Sequence, residues 1–256
     1  MKKIPQVTLL FWIMKIAATT LGETAGDLLS MTLHAGYAFS SMILIGLFFV
    51  TVVAQLGSKK YHPLLYWTVI LSTSTAGTTM SDYMDRTLGL GYTKGTLILI
   101  AVLASIFVYW RASAHSFSVQ NITTFKVELL YWTAILFSNT LGTALGDFLA
   151  DSSGLGFAGG ALLIGGLLTL TVLAYFFTRI SKILLFWIAF VLTRPFGATM
   201  GDVLTKSNEK GGLGFGTIGS SIVLGSILGI LILHTTFNEI KEAEGPSAPS
   251  AGTDFN

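Results

Sequence analysis

Four aspartates recur at one fixed distance from a tryptophan. Asp27, Asp82, Asp147 and Asp202 each stand 15 residues after Trp12, Trp67, Trp132 and Trp187, in the stretches FWIMKIAATTLGETAGD, YWTVILSTSTAGTTMSD, YWTAILFSNTLGTALGD and FWIAFVLTRPFGATMGD. On a helix, the residues four and seven positions before each Asp share its face. Those positions hold Glu23, Thr78, Thr143 and Ala198, then Thr20, Thr75, Thr140 and Pro195. A neighbouring position adds Thr24, Thr79 and Thr199. Such a face is a ladder of hydroxyls that ends in a carboxylate. Oxygen-only ligands suit hard divalent cations such as Mg²⁺, Ca²⁺ and Mn²⁺, or a proton relay. Asp27, Asp82, Asp147, Asp202 and Glu23 are therefore the candidate metal ligands, with the eight threonines as a transport path. The bland alternatives are that each Asp caps the following helix and that each Thr bonds its own helix.

Departures from the repeat mark where the four units specialise. Unit 1 alone carries Glu23, which puts two acids on one helical face. Unit 4 alone carries Arg194 and Pro195 where the others have Thr19-Thr20, Ser74-Thr75 and Asn139-Thr140. An unpaired Arg at mid-membrane costs at least about 2.5 kcal/mol, so Arg194 calls for a carboxylate partner, Glu23 or Asp147. Pro195 removes a helical hydrogen bond and is expected to kink its helix. Together they read as a gate or charge balance, or as a fixed structural ion pair. Lys15 lies nearer the other end of its helix, either snorkelling to the interface or guarding the inner mouth. Asp85 and Asp151 fall about one turn beyond the repeat Asp and read as outer-vestibule groups. His34, His62, His115 and His234 form no ligand spacing.

The elements that must position these residues are legible from the repeat. Small residues precede each Asp by five and one positions (Gly22/Gly26, Gly77/Ser81, Gly142/Gly146, Gly197/Gly201), a small-xxx-small motif for close helix approach. A Gly-aromatic pair follows at Gly36-Tyr37, Gly91-Tyr92 and Gly156-Phe157, and, after an insertion, at Gly214-Phe215. Trp-to-Trp distances of 55, 65 and 55 residues give two halves offset by 120, joined by a polar linker around Ser113–Thr123. Each unit holds two apolar runs: 6–29, 36–56, 62–86, 91–111, 127–150, 156–178, 182–205 and 214–236. Each is long enough to cross a bilayer, and backbone satisfaction there requires helices. The first run resembles a signal peptide, yet it is itself repeat unit 1 and is expected to be retained.

Composition agrees. Of 256 residues 52% are hydrophobic and only 11% charged, against roughly 25% charged in soluble domains. A soluble enzyme, a disordered chain and a nucleic-acid-binding module are excluded. With no Cys there are neither disulfides nor thiolate metal sites. The expected fold is an all-α membrane protein of eight transmembrane helices, four parallel two-helix repeats paired into two halves, residues 1–120 and 121–238. Residues 239–256 read as a disordered cytoplasmic tail. Nine Lys and Arg on the side of the termini against four on the other put both termini in the cytoplasm. Fifteen residues span about 22 Å, so the four Asp lie in the outer half of the membrane and the Trp residues form an aromatic belt at the cytoplasmic interface.

The fourfold [FY]W…G-x-x-x-[GS]-D…G[YF] unit resembles the bacterial integral-membrane "repeat of unknown function" family over nearly the whole chain. The resemblance implies four two-helix units in a bacterial inner membrane and carries no activity with it. The GETAGD string of unit 1 is also similar to the Glu-x-Gly-Asp motifs of some cation and manganese exporters, with one extra residue between Glu23 and Gly26-Asp27. The expected function is secondary transport or export of a divalent, Mn-like cation, the metal being substrate and not cofactor, with lipid as the surroundings and a homo-oligomer compatible with the chain. The alternatives are a proton-coupled carrier of a small organic solute, with Arg194 holding an anionic group, and an intramembrane aspartyl-type hydrolase.

Overall fold

The computed structural model describes residues 4–113 and 124–244, and among these it is all helical. The helices are α1 (Leu9–Asp27), α2 (Tyr37–Gly57), α3 (Pro63–Asp82), α4 (Gly91–Ser113), α5 (Phe125–Asp147), α6 (Gly156–Phe177), α7 (Lys182–Thr205) and α8 (Gly216–Glu244). The odd helices form a closed ring, α1 against α3, α3 against α5, α5 against α7 and α7 against α1. Each even helix packs outside, and chiefly on the next unit: α2 lies on α3, α4 on α5, α6 on α7 and α8 on α1. Every unit thus hands its second helix to the next, and α8 closes the circle. The two halves are not separate bodies, because α3–α5 and α7–α1 join them.

The small-xxx-small pairs make the ring possible. Gly22 faces Ser74, Gly77 faces Asn139, Gly142 faces Arg194 and Pro195, and Gly197 faces Thr19. One turn on, Gly26 faces Thr78, Gly146 faces Ala198 and Gly201 faces Glu23. Each seam therefore uses the same register, with a glycine of one unit taking a side chain of the next. Below the seam the aromatic pairs close a second circle. Phe11 meets Trp67 at 5.6 Å between ring centroids, Tyr66 meets Trp132 at 5.6 Å, Tyr131 meets Trp187 at 6.2 Å and Phe186 meets Trp12 at 5.7 Å. This corrects the expected aromatic belt. Trp67, Trp132 and Trp187 are buried and Trp12 is partly buried, because the odd helices lie inside the bundle.

Among the described residues five helices are long and apolar enough to cross a membrane: α2, α4, α6, α7 and α8, the last over Gly216–Lys241. The other three, α1, α3 and α5, are inner helices whose buried faces carry Thr, Ser, Gly and acids. Outer helices expose large apolar side chains, among them Phe39, Met42 and Val50 on α2 and Leu162, Leu170 and Phe176 on α6. Exposed apolar surface lies mainly on the outer helices, and of the inner ring α7 alone matches them in hydropathy among the described residues.

Helix ends bring three further corrections. In units 1 to 3 the repeat Asp is followed by a π turn, Leu28–Thr32, Tyr83–Thr87 and Phe148–Ser152, which no apolar pattern announces. Paired left-handed residues follow, two apart: His34 and Gly36, Gly89 and Gly91, Gly154 and Gly156, then Gly214 and Gly216. By this pairing and by the start of α8, the unit 4 counterpart of Gly36-Tyr37 is Gly216-Thr217 and not Gly214-Phe215. The insertion is two residues longer than the Gly-aromatic match suggests. Lastly, α8 continues through residues 239–244, since EIKEAE consists mostly of good helix formers. The polar linker at 114–123, Lys2, Lys3, His115 and the tail from 245 lie outside the described residues.

The close seams are testable. A Cβ on Gly77 would lie 2.9 Å from the Asn139 carbonyl carbon and from the Thr140 nitrogen, both backbone, whereas Gly166 has open space. Gly77→Ala is expected to destabilise the protein by about 1–3 kcal/mol, and Gly166→Ala to leave it unchanged or slightly stabilised. Thermal unfolding in detergent compares them; equal midpoints would mean that the seam is not a tight contact.

Candidate functional site

A stripe with a four-residue period reaches the middle of the ring. Positions 3, 7, 11 and 15 after each Trp give four stacked layers: Lys15, Ile70, Ile135 and Phe190; Thr19, Ser74, Asn139 and Arg194; Glu23, Thr78, Thr143 and Ala198; and the four Asp. Four residues advance about 40° beyond a full turn, so helices inclined to one another can keep such a stripe facing inward. Apart from Ala198, every member of the last three layers is polar, and all are buried.

Arg194 organises the third layer from below. It is fully buried, and its Nη2 donates to Glu23 Oε2 at 3.0 Å and to the hydroxyls of Thr143 (2.7 Å) and Thr78. Nη1 donates to the Thr19 carbonyl at 3.2 Å. The Thr78 and Thr143 hydroxyls donate to the same Glu23 oxygen at 3.2 and 3.3 Å. All four inner helices therefore contribute to one knot. Of the two partners expected for Arg194, the structure pairs it with Glu23. Pro195 does not end α7, which runs on through Thr205. Its ring lies against Gly142, 3.0 Å from where a Cβ would stand.

The aspartate layer lies one turn further along. Its members are held in two adjacent pairs by Arg86 and Lys206, two of the four cations counted on the side opposite the termini. Lys206 Nζ lies 2.8 Å from Asp27 Oδ2 and 3.1 Å from Asp202 Oδ1. Arg86 Nε lies 2.9 Å from Asp82 Oδ1, and its Nη2 is 3.6 Å from Asp147 Oδ2. Both cations stand four residues after an Asp, at the same place in units 2 and 4. That i,i+4 spacing was the available signal. Glu23, Asp27 and Asp202 also offer one oxygen each within 4.8 Å of one another.

The threonines divide. Thr78 and Thr143 enter the Arg194 knot. Thr24, Thr75, Thr79, Thr140 and Thr199 are buried but donate to carbonyls of their own helices, Leu21, Leu71 and Ser72, Thr75 and Ala76, Leu136, and Pro195 and Phe196. Thr24 also accepts from Ser221 of α8 at 2.9 Å, and Thr20 is buried on the same helix. The expected ladder is therefore confined to its third rung, because the inward stripe takes every fourth residue while the ladder included the flanks. The position 7 residues Thr19, Ser74 and Asn139 were missed. Asn139 Nδ2 donates to Thr73 Oγ1 at 2.9 Å across the α3–α5 seam.

Two more expectations change. Lys15 does not snorkel: it is fully buried, its ammonium 4.0 Å from the centre of the Phe190 ring, without a hydrogen-bond partner among the described residues. An inner helix surrounded by others offers the side chain no route to an interface. Asp85 is not a vestibule group either. It is buried over Gly95, whose missing side chain makes the room, and accepts from Ser81 Oγ at 3.4 Å; Asp151 is exposed.

Fold and site thus define an all-helical, fourfold-repeated bundle built around buried ion pairs. The chain belongs to the family described as Repeat of Unknown Function (DUF347), which matches residues 10–61, 65–116, 130–181 and 185–241, one match for each unit. No curated protein and no solved structure matches the chain.

A buried ammonium with no hydrogen-bond partner among the described residues is a cost to folding. Replacing Lys15 by the isoleucine that units 2 and 3 carry at this position should stabilise the protein by about 1–4 kcal/mol, the scale seen when buried ion pairs give way to apolar side chains. A lower unfolding midpoint for Lys15→Ile in detergent would mean that the ammonium makes a contact essential to the fold.

Proposed function

We propose that this protein is a multi-pass membrane transporter of cations, binding a hard divalent ion such as Mn²⁺ at Glu23, Asp27 and Asp202. The carrying observation is the charge of the aspartate layer. Four buried carboxylates share two cationic side chains, Arg86 and Lys206, while Glu23 is taken by Arg194. Two positive charges are missing, as a divalent cation or two protons would supply. Burial makes the deficit expensive, since ions withdrawn from water are stable only when compensated. The clustered ligand atoms of Glu23, Asp27 and Asp202 are all oxygens, the donor set that hard cations prefer.

In this reading all eight helices cross the bilayer of a bacterial inner membrane, and the outer ring shields α1, α3 and α5 from lipid. Both termini are cytoplasmic. With Arg86 and Lys206 drawn into the bundle, the loops opposite the termini keep only Lys94 and Lys210, which sharpens the positive-inside bias.

The other readings find less support. A carrier of an organic anion would use Arg194 to hold it, but that guanidinium already donates to Glu23, Thr78, Thr143 and the Thr19 carbonyl. An aspartyl hydrolase needs two carboxylates sharing a proton, whereas here the adjacent pairs are bridged by cations.

Calorimetry of the detergent-purified protein with Mn²⁺, beside Mn²⁺ uptake into proteoliposomes, tests the proposal. Asp27→Asn and Asp202→Asn should each weaken binding by roughly tenfold or more, the scale of about 1.4 kcal/mol for one lost ligand, and should abolish uptake. Wild-type protein that binds neither Mn²⁺, Mg²⁺ nor Ca²⁺ would sink it.

A further inference from the structure

The two aspartate pairs are related by the 120-residue offset between the halves, yet they are closed in different ways. At the Asp82–Asp147 pair the closing cation is a guanidinium, permanently charged and able to address both carboxylates from a planar fork. Arg86 is held from behind as well. Its Nη1 donates to Tyr37 Oη at 3.3 Å, and its guanidinium carbon lies 5.7 Å from the ring centres of both Tyr37 and Tyr92. Its backbone belongs to the π turn that follows α3.

The Asp27–Asp202 pair has none of these restraints. Its cation is the Lys206 ammonium on a flexible four-carbon stem, held by the two carboxylates. The counterparts of Tyr37 and Tyr92 in the second half are Phe157, which has no hydroxyl, and Thr217, which has no ring. Unit 4 has no π turn at this point, and Lys206 is the first residue beyond α7, in extended backbone. Both cations reach the surface, the Lys206 side chain 19% and that of Arg86 31% exposed, so what sets Lys206 apart is the lack of restraint from behind and not its exposure. The layer beneath differs in the same sense. Thr78 and Thr143 stand under Asp82 and Asp147, whereas Glu23 and the small Ala198 stand under Asp27 and Asp202. The cation that only carboxylates hold, without hydroxyl or ring behind it, therefore sits at the pair with a third carboxylate within reach.

We infer that Lys206 is a tethered stand-in for the transported cation: its ammonium occupies the Asp27–Asp202 pair when the site is empty and is displaced when the ion binds, while Arg86 keeps the equivalent pair shut. One of two formally equivalent pairs thereby becomes the single exchangeable site. The inference rests on the cation-transport reading. An occupying ammonium protects the carboxylates from being left uncompensated, and it sets a threshold, because an entering ion must outcompete it. Divalent ions meet that threshold more readily than monovalent ones, since they bring twice the charge to the same oxygens.

Mn²⁺ titrations of wild type, Lys206→Met and Lys206→Arg, each full length in detergent, separate the possibilities. Removing the competitor should tighten Mn²⁺ binding by roughly tenfold or more, and the less mobile guanidinium should weaken it by a similar factor, as expected for competition at one site. A second measurement needs no variant. Mn²⁺ should raise the reactivity of Lys206 towards an amine-acylating reagent, read by mass spectrometry, because displacement exposes the ammonium. Equal Mn²⁺ affinity in wild type and Lys206→Met, or acylation of Lys206 unchanged by Mn²⁺, overturns the inference and leaves the cation reading standing. Absence of Mn²⁺ binding to wild type and Lys206→Met alike overturns both.

Discussion

The structure depends on how closely four helix backbones can approach around one axis. A buried charge is costly unless partners surround it, and partners on four helices can reach a common point only if the helices touch. The glycine seams meet that requirement. Gly142 accommodates the stem of Arg194, and without that space the guanidinium could not reach Glu23, Thr78 and Thr143 together. Gly201 does the same for the stem of Glu23. Ion pair and seam are two aspects of one constraint.

On this nearly fourfold frame the charges are only twofold. The seams and the aromatic circle repeat in every unit, but the cations that bridge the Asp layer occur in units 2 and 4 only, and each serves its own unit and the next. The Arg194–Glu23 pair breaks even the twofold, since Ser74, the equivalent of Arg194 in the first half, carries no charge. Scaffold positions have kept the repeat, and the polar interior has diverged within it. Such a pattern fits an asymmetric site set inside a symmetric support, with energetic differences concentrated in a handful of side chains.

The arrangement also explains why α1, α3 and α5 are less apolar than the helices around them. An inner helix contacts other helices on most sides, so its composition answers to its neighbours and not to lipid. Thr, Ser and Gly are admitted because hydroxyls can return to their own carbonyls and because small residues let backbones close up. The outer helices carry the exposed apolar surface instead.

Much of this was legible in the sequence. The period of the repeat, the helix positions, the role of the small-residue pairs and the need of Arg194 for a carboxylate follow from residue type and spacing, because helix geometry fixes which residues share a face; the choice of Glu23 over Asp147 does not. The longer insertion of unit 4 was not, since it is registered by backbone conformation at Gly214 and Gly216 and not by an aromatic residue. Nor were the burial of Lys15 and the recruitment of Arg86 and Lys206. A single chain of letters states which charges exist and how they are spaced along one helix. Which helices become neighbours, and so which carboxylate meets which cation, was decided by the closing of the ring, in which each unit packs its second helix on the next unit and brings residues about 180 positions apart into contact.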